Sequence, residues 1–158
     1  MRELCRIKDE GTTEAWVPDD DMFVWRARVR PAENSPLAND LAALAIAAPA
    51  VSTGAVQLEL RFPPNYPAQP PFVRVVSPRF QPRTGHVTVG GSLCAEVLTS
   101  GGWDPHMKVD ALLEAIRVML VEGGGRIDLR RSQAGREYGL AEAQMAFERV
   151  ARQHDWTP

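Results

Sequence analysis

Two cysteines, Cys5 and Cys94, are the strongest candidate nucleophiles in this 158-residue sequence, because a thiolate both attacks a carbonyl carbon and leaves it readily. Two cysteines are too few for a disulfide framework in a chain of this size. The histidines His86, His106 and His154 show no metal-ligand spacing with them. The sequence therefore predicts no metal site and no cofactor, and each cysteine is either a small buried apolar residue or a reactive thiol.

Cys94 follows a long stretch without periodicity, residues 79–92, in which prolines and glycines mark tight turns. This stretch is longer than most connections between secondary-structure elements, and long loops often carry function. A glycine-rich backbone can also bend so that one side chain is exposed. The residues alone leave two interpretations open, a nucleophile or a thiol packed beside Leu93 and Val97.

The elements that must position Cys94 include three predicted strands. Residues 23–29, 56–62 and 72–76 have strand character, and the first two alternate apolar and polar side chains with a period of two. In the first strand, Phe23, Trp25, Ala27 and Val29 are expected to face the core. The proline-rich residues 63–71 cannot join a ladder and must form a turn between the second and third strands.

Apolar residues at helical spacing predict the helices. Ser35 and Pro36 are typical of a helix start and predict a helix inserted between the first two strands. A longer helix begins near Val109 and ends at Gly123, and a last helix runs from Leu140 to about His154. A short N-terminal helix is expected around Leu4 and Ile7. Together these elements predict an α+β fold, an antiparallel meander followed by helices, in one domain over residues 1–158.

Composition excludes several classes of partner. The formal net charge is −2, which gives no global field that would attract nucleic acid or anionic lipid. No run approaches the ~20 apolar residues of a membrane span, and the charged N-terminus lacks the apolar core of a signal peptide. We expect a cytoplasmic or nuclear protein that binds neither nucleic acid nor membranes.

Three motifs in a fixed order resemble those of ubiquitin-conjugating enzymes. Their proline-rich signature is similar to Phe62-Pro-Pro-Asn-Tyr-Pro-Ala-Gln-Pro-Pro71 in this chain. The segment that holds their acceptor cysteine is similar to Gly91-Ser-Leu-Cys94, and the tryptophan and loop that follow it are similar to Trp103-Asp-Pro105. The Gly90-Gly91 pair and the inserted helix are similar to the Q-type branch of that family. The resemblance implies a ubiquitin-conjugating-enzyme-like fold, with the N-terminal helix, the meander, an irregular catalytic flap and C-terminal helices.

The resemblance also implies a chemistry, in which Cys94 carries ubiquitin or a ubiquitin-like protein as a thioester and passes it to an amine or a ligase. Most members have a His-Pro-Asn triplet whose asparagine stands eight residues before the cysteine, where this chain has His86. A neutral imidazole can donate one hydrogen bond. His86 is therefore either a substitute oxyanion donor or a residue that supports the flap.

The resemblance also implies a carboxylate or a serine near the end of the long helix that receives the substrate lysine. The corresponding stretch here is loosely aligned and offers Asp128 as a candidate, together with Glu122. A solvated surface charge is the alternative interpretation of either residue.

Partner surfaces follow from the same resemblance. The activating enzyme, which uses ATP, and the ligases are expected on the first helix and two loops. These surfaces comprise Arg2 and Arg6, then Pro67, Ala68 and Gln69, then Asp104, Pro105 and His106. Many members have a phenylalanine where Ala68 stands, so the ligases that accept the thioester are the partners least supported by this sequence.

Two other functions compete with an active conjugating enzyme. A non-catalytic module of the same fold would recognise ubiquitin or a ligase, and the missing asparagine favours it, whereas the retained cysteine favours catalysis. A cysteine hydrolase would need a positioned histidine base, for which His86 is the nearest candidate in sequence.

Overall fold

The computed structural model describes residues 7–9 and 11–154, the first three by their backbone alone. Within these residues, five antiparallel strands form a sheet in chain order: β1 (Ile7–Asp9), β2 (Thr13–Trp16), β3 (Val24–Val29), β4 (Val56–Arg61) and β5 (Phe72–Ser77). The helices are α1 (Pro36–Ala47), α2 (Val109–Glu122), α3 (Leu129–Gln133) and α4 (Leu140–Gln153), and a 3₁₀ turn covers Glu96–Leu98. This confirms the predicted α+β fold with a meander sheet.

The strand periodicity correctly predicts which face of the sheet is buried. In the β3–β4 ladder Ala27 lies opposite Leu58, and both side chains are fully buried. Helix α2 covers this face with its own apolar side, on which Leu113 and Ile116 are also fully buried. The core therefore lies between α2 and one face of the sheet, and the opposite face carries the polar residues of the strands.

Three details of the strands differ from the expectation. Phe23 precedes β3 and is 58% exposed, because it lies in the turn in which the Val24 amide donates to the Asp21 carbonyl at 3.0 Å, at the end of the sheet. Ile7 begins β1 and so does not belong to the expected N-terminal helix, whereas Leu4 lies outside the described residues. Strand β2 was not predicted, because a Thr-Glu-Ala-Trp segment has little of the apolar alternation that indicates a strand.

The inserted helix α1 begins as predicted. The Ser35 hydroxyl accepts a hydrogen bond from the Ala38 amide at 3.1 Å, and Pro36 occupies the first turn. Asp40 ties this helix to the segment after α2, since its carboxylate accepts bonds from the Arg126 guanidinium at 2.7 and 3.0 Å and from the Ile127 amide at 2.9 Å. The Arg126 guanidinium holds the pKa of Asp40 below its usual range.

Candidate active site

Cys94 ends one arm of a short β-hairpin, residues 86–94, which we term the cysteine hairpin. Its amide donates to the His86 carbonyl at 2.8 Å, and Val87 and Leu93 form the next bridge. The second arm also joins the edge of the sheet, because the Leu93 amide donates to the Val73 carbonyl at 3.0 Å. The backbone of Cys94 is thus fixed from two directions.

The turn that leads into the hairpin explains the departure from the His-Pro-Asn pattern. The Val87 amide donates to the Thr84 carbonyl at 3.1 Å, and both central residues have positive φ, 64° for Gly85 and 58° for His86. Positive φ at both central positions is the signature of a type I′ turn. Proline cannot adopt such a φ, so a proline at position 85 would be incompatible with this backbone.

The same turn is attached to the end of α2. The Gly85 amide donates to the Gly123 carbonyl at 2.9 Å. The His86 ring lies against Gly123, where a side-chain Cβ would come within 2.5 Å of the imidazole Cδ2 and 2.9 Å of Nε2. His86 therefore packs on the C-terminus of α2 while remaining largely exposed.

The thiol of Cys94 is free and half-buried. Burial raises its pKa above the usual value of a cysteine, because a desolvated site disfavours the thiolate. Reactive cysteines of the protease type instead have a lowered pKa, held down by a neighbouring cation. The structure therefore shows a free, partly buried thiol whose pKa lies above its usual value. Cys5 lies outside the described residues.

Asp128 stabilises the start of α3. It is the N-cap of α3, where its Oδ1 accepts a bond from the Arg131 amide at 3.1 Å and its Oδ2 lies 3.6 Å from the Arg131 Nε. Capping aspartates stabilise a helix N-terminus. Glu122, in contrast, is exposed at the end of α2, directly before the glycine on which His86 packs.

The two predicted partner loops are tied together by Trp103. Its indole Nε1 donates to the Pro67 carbonyl at 2.7 Å, and the Ala68 amide donates to the Asn65 carbonyl at 2.8 Å. Ala68 and Gln69 are exposed beside this bond. The Trp103–Pro67 bond therefore links the proline-rich turn to the loop after the cysteine.

The second of these loops is shaped by Asp104. Its Oδ1 accepts a bond from the His106 amide at 2.9 Å and lies 3.1 Å from the His106 Nδ1. The hydrogen bond from the His106 amide is the main cause of a lowered pKa of Asp104, and the bond with the His106 ring lowers it further. Asp104, Pro105 and His106 are all exposed, whereas Arg2 and Arg6 lie outside the described residues.

A cleft of about 300 Å³ runs beside the cysteine hairpin. Its walls are the end of β4, the proline-rich turn, the start of β5, the segment after Cys94 and helix α4, and its apolar lining includes Leu93, Leu98 and Phe147. Phe147 packs edge-on against Phe72 with ring centroids 5.6 Å apart. No local pattern in the sequence reveals this cleft, because its walls come from distant parts of the chain.

An aromatic row supports the proline-rich turn from below. Trp25 contacts Phe62 at 5.1 Å between ring centroids, Phe62 contacts Tyr66 at 4.7 Å, and Tyr66 lies 6.2 Å from Trp103. The first two pairs have the edge-to-face geometry that aromatic rings favour. These side chains thus pack against one another beneath the turn.

Among residues 7–9 and 11–154, no group of three His, Cys, Asp or Glu side chains is placed to hold a metal ion. Over the same ranges, no helix has the length and apolar character needed to cross a membrane.

The fold and the position of the thiol define a class of protein, an α+β domain that presents a cysteine on a hairpin at the edge of its sheet. Two solved structures share the fold: a ubiquitin-conjugating enzyme E2 of Plasmodium vivax (TM-score 0.52, 21% identity, 69% of this chain and 84% of that one) and one of Plasmodium falciparum (TM-score 0.51, 22% identity, 70% and 82%).

Sequence comparison agrees. The sequence model of the ubiquitin-conjugating enzyme family matches residues 1–154, so the chain belongs to that family. A human ubiquitin-conjugating enzyme of the Q-like type, Q-like protein 1, is 30% identical over 98% of this chain and 91% of its own length. A Q-like ubiquitin-conjugating protein of Drosophila melanogaster is 32% identical over 98% of this chain, which spans only 48% of that protein. The relatives thus support the Q-type branch.

Proposed function

We propose that this chain carries ubiquitin, or a ubiquitin-like protein, on Cys94. The Cys94 thiolate attacks the thioester carbonyl carbon held by an activating enzyme, a new sulfur–carbon bond forms, and the activating enzyme's thiolate leaves. An amine of a substrate, or the thiol of a ligase, then attacks the same carbonyl and Cys94 departs as thiolate. ATP is used only by the activating enzyme, and we expect the reaction in the cytoplasm or nucleus.

One observation carries the proposal. The backbone of Cys94 is held by its own bond to His86 and by the neighbouring Leu93–Val73 bond while its side chain is only partly buried, which is the combination that a covalent carrier needs. A fixed backbone limits the orientations of the acyl group and so favours attack from one direction. The adjacent cleft leaves space beside the hairpin for part of the carried protein or of a partner.

The raised pKa of the Cys94 thiol favours a carrier over a hydrolase. A hydrolase depends on a thiolate that a histidine activates at neutral pH. Here burial raises the pKa of Cys94, and a thiol of higher pKa makes a poorer leaving group. A thioester on such a thiol is attacked more slowly by water and by amines alike, so transfer depends on how the acceptor amine is positioned.

The partner surface is proposed on the two loops joined by Trp103. The exposed residues Ala68, Gln69, Asp104, Pro105 and His106 form one surface, because the Trp103–Pro67 bond fixes the loops relative to each other. A rigid surface of this kind loses little entropy on binding a ligase or the activating enzyme. The alanine at position 68 favours ligases that bind without an aromatic anchor there.

The test is a charging reaction with activating enzyme, ATP and ubiquitin. We expect an adduct that dithiothreitol removes, and Cys94→Ser is expected to convert it to an ester that resists dithiothreitol. Cys5→Ser, the matched control, should charge like the unmodified protein. Charging that is lost with Cys5→Ser but kept with Cys94→Ser would contradict the proposal. If none of the ubiquitin-like proteins forms an adduct, a non-catalytic binding module becomes the better interpretation.

A further inference from the structure

The tip of the cysteine hairpin is packed against the C-terminal part of the chain. Gly90 lies so close to α4 that a Cβ there would overlap the Glu142 carbonyl and come within 2.7 Å of the Ala146 Cβ. Gly91 has a φ of 96°, and a Cβ on it would overlap the Tyr138 ring. Both positions therefore require glycine, one for space and the other for space and backbone conformation.

Tyr138 is held firmly under this tip. Its side chain is 4% exposed, and its hydroxyl accepts a bond from the Phe80 amide at 2.9 Å. Its own amide donates to the Val76 carbonyl at 2.9 Å, and its carbonyl accepts a bond from the Arg74 guanidinium at 2.7 Å. The residue that supports Gly91 is thus fixed to β5 and to the segment that follows it.

A bidentate ion pair closes this arrangement. The Arg79 guanidinium lies 4.5 Å from the centre of the Tyr138 ring and donates to both carboxylate oxygens of Glu142, at 3.0 and 2.9 Å. Glu142 also accepts a bond from the Gly139 amide at 3.1 Å, which fixes the start of α4. Paired bonds between a guanidinium and a carboxylate are among the stronger and more directional contacts in proteins.

We propose that Arg79, Tyr138 and Glu142 form a clamp that fixes the tip of the cysteine hairpin and so sets the orientation of the Cys94 thiol. They are positioning residues, since they act on Cys94 through the hairpin. The other end of the hairpin is already anchored to α2 by the Gly85–Gly123 bond. Without the clamp, the hairpin keeps that anchor and its bonds to β5, but its tip can move away from α4.

The effect of the clamp on the thiol can be measured without any conjugation partner. The variants are Glu142→Gln, which weakens the ion pair, and Tyr138→Phe, which removes only the hydroxyl. Glu148→Gln is the matched control on the same helix, because Glu148 is exposed and pairs with Arg152 at 3.6 Å, outside the clamp. All variants are made in a Cys5→Ser background. The rate of Cys94 alkylation by iodoacetamide is measured as a function of pH, at a temperature well below the thermal midpoint of unfolding.

We expect Glu142→Gln to raise the alkylation rate several-fold and to shift its pH profile to lower pH, because a mobile hairpin exposes the thiol to water and so favours the thiolate. Tyr138→Phe should give a smaller change in the same direction, and Glu148→Gln none. If both clamp variants show the unmodified rate and profile, the clamp has no positioning role, even where the thermal midpoint falls.

The consequence for catalysis rests on the proposed function. In single-turnover reactions, we expect Glu142→Gln to slow the discharge of ubiquitin to free lysine by several-fold more than it slows charging, because attack by the amine depends on the orientation of the thioester. Equal discharge rates in Glu142→Gln and Glu148→Gln would contradict this step. If the unmodified protein cannot be charged at all, the proposed function fails while the alkylation experiment still decides the role of the clamp.

Discussion

Glu59 of β4 offers the sharpest test of the forces that stabilise the outer face of the sheet. Its side chain is 2% exposed, and its one carboxylate faces three guanidinium groups. Oε1 accepts bonds from Arg61 at 2.8 Å and Arg74 at 3.0 Å, and Oε2 lies 2.8 Å from a nitrogen of Arg26. Arg74 is itself only 5% exposed, so the loss of Glu59 would leave a buried cation without its counter-ion.

Glu59→Gln keeps the shape of the side chain and removes its charge. Breaking a buried ion pair by removing one partner typically costs about 3–5 kcal/mol, because an uncompensated charge stays behind, and we expect a loss in that range. Urea unfolding followed by circular dichroism measures it. Glu14→Gln is the control, since Glu14 is 33% exposed and lies 3.6 Å or more from Arg28 and Arg30, where ion pairs contribute at most about 1 kcal/mol.

The pH dependence of the free energy of unfolding is a second test of the same interaction. Burial raises the pKa of Glu59, but the hydrogen bonds and charges of Arg74, Arg61 and Arg26 outweigh it, so the net pKa lies below the usual range. A carboxyl with a lowered folded-state pKa contributes stability above its unfolded-state pKa and loses it as the pH falls through the folded value. The Glu59→Gln protein should therefore lose less stability on acidification. A loss below about 1 kcal/mol at neutral pH would refute the reasoning.

Two further predictions concern the cysteine hairpin. His86→Ala should slow ubiquitin discharge to lysine by less than about tenfold in single-turnover assays, since the ring packs on Gly123 at the end of α2. If the discharge rate falls by about a hundredfold while the thermal midpoint is unchanged, the imidazole has an oxyanion role instead. Because burial raises the pKa of Cys94, its alkylation rate should rise by about tenfold per pH unit across neutral pH without a plateau. A plateau below about pH 8 in a Cys5→Ser protein would contradict the protonated thiol.

The parts of the fold that the sequence predicts are those whose signal is local. The alternation in β3 and β4, the helical spacing in α2 and the Ser35–Pro36 start of α1 each depend on a few neighbouring residues. Strand β2 has no such local signal, and it is held in the sheet by its pairing with β3, which a local pattern does not reveal. Phe23 fits the alternation but is exposed, since it lies in the turn of residues 21–24 that precedes β3.

The candidate site shows the same division. The motif around Cys94 identifies the candidate nucleophile. The packing of Gly90 on Glu142 next to the clamp, in contrast, joins residues that are far apart in sequence, and such contacts leave no periodic signal. The Gly90–Gly91 pair is the one local hint, since adjacent glycines often mark a close approach of the backbone. The capping role of Asp128 was also open to prediction, because an aspartate directly before a helix is a frequent N-cap.

The central claim is that the sulfur of Cys94 carries the acyl group, and intact-protein mass spectrometry of the charging reaction tests it most directly. We predict a species heavier by the mass of ubiquitin less one water, lost on treatment with dithiothreitol, absent from Cys94→Ala and retained by Cys5→Ala. An unchanged mass with an activating enzyme that charges a known conjugating enzyme in parallel, or an adduct that persists in Cys94→Ala, would contradict the account.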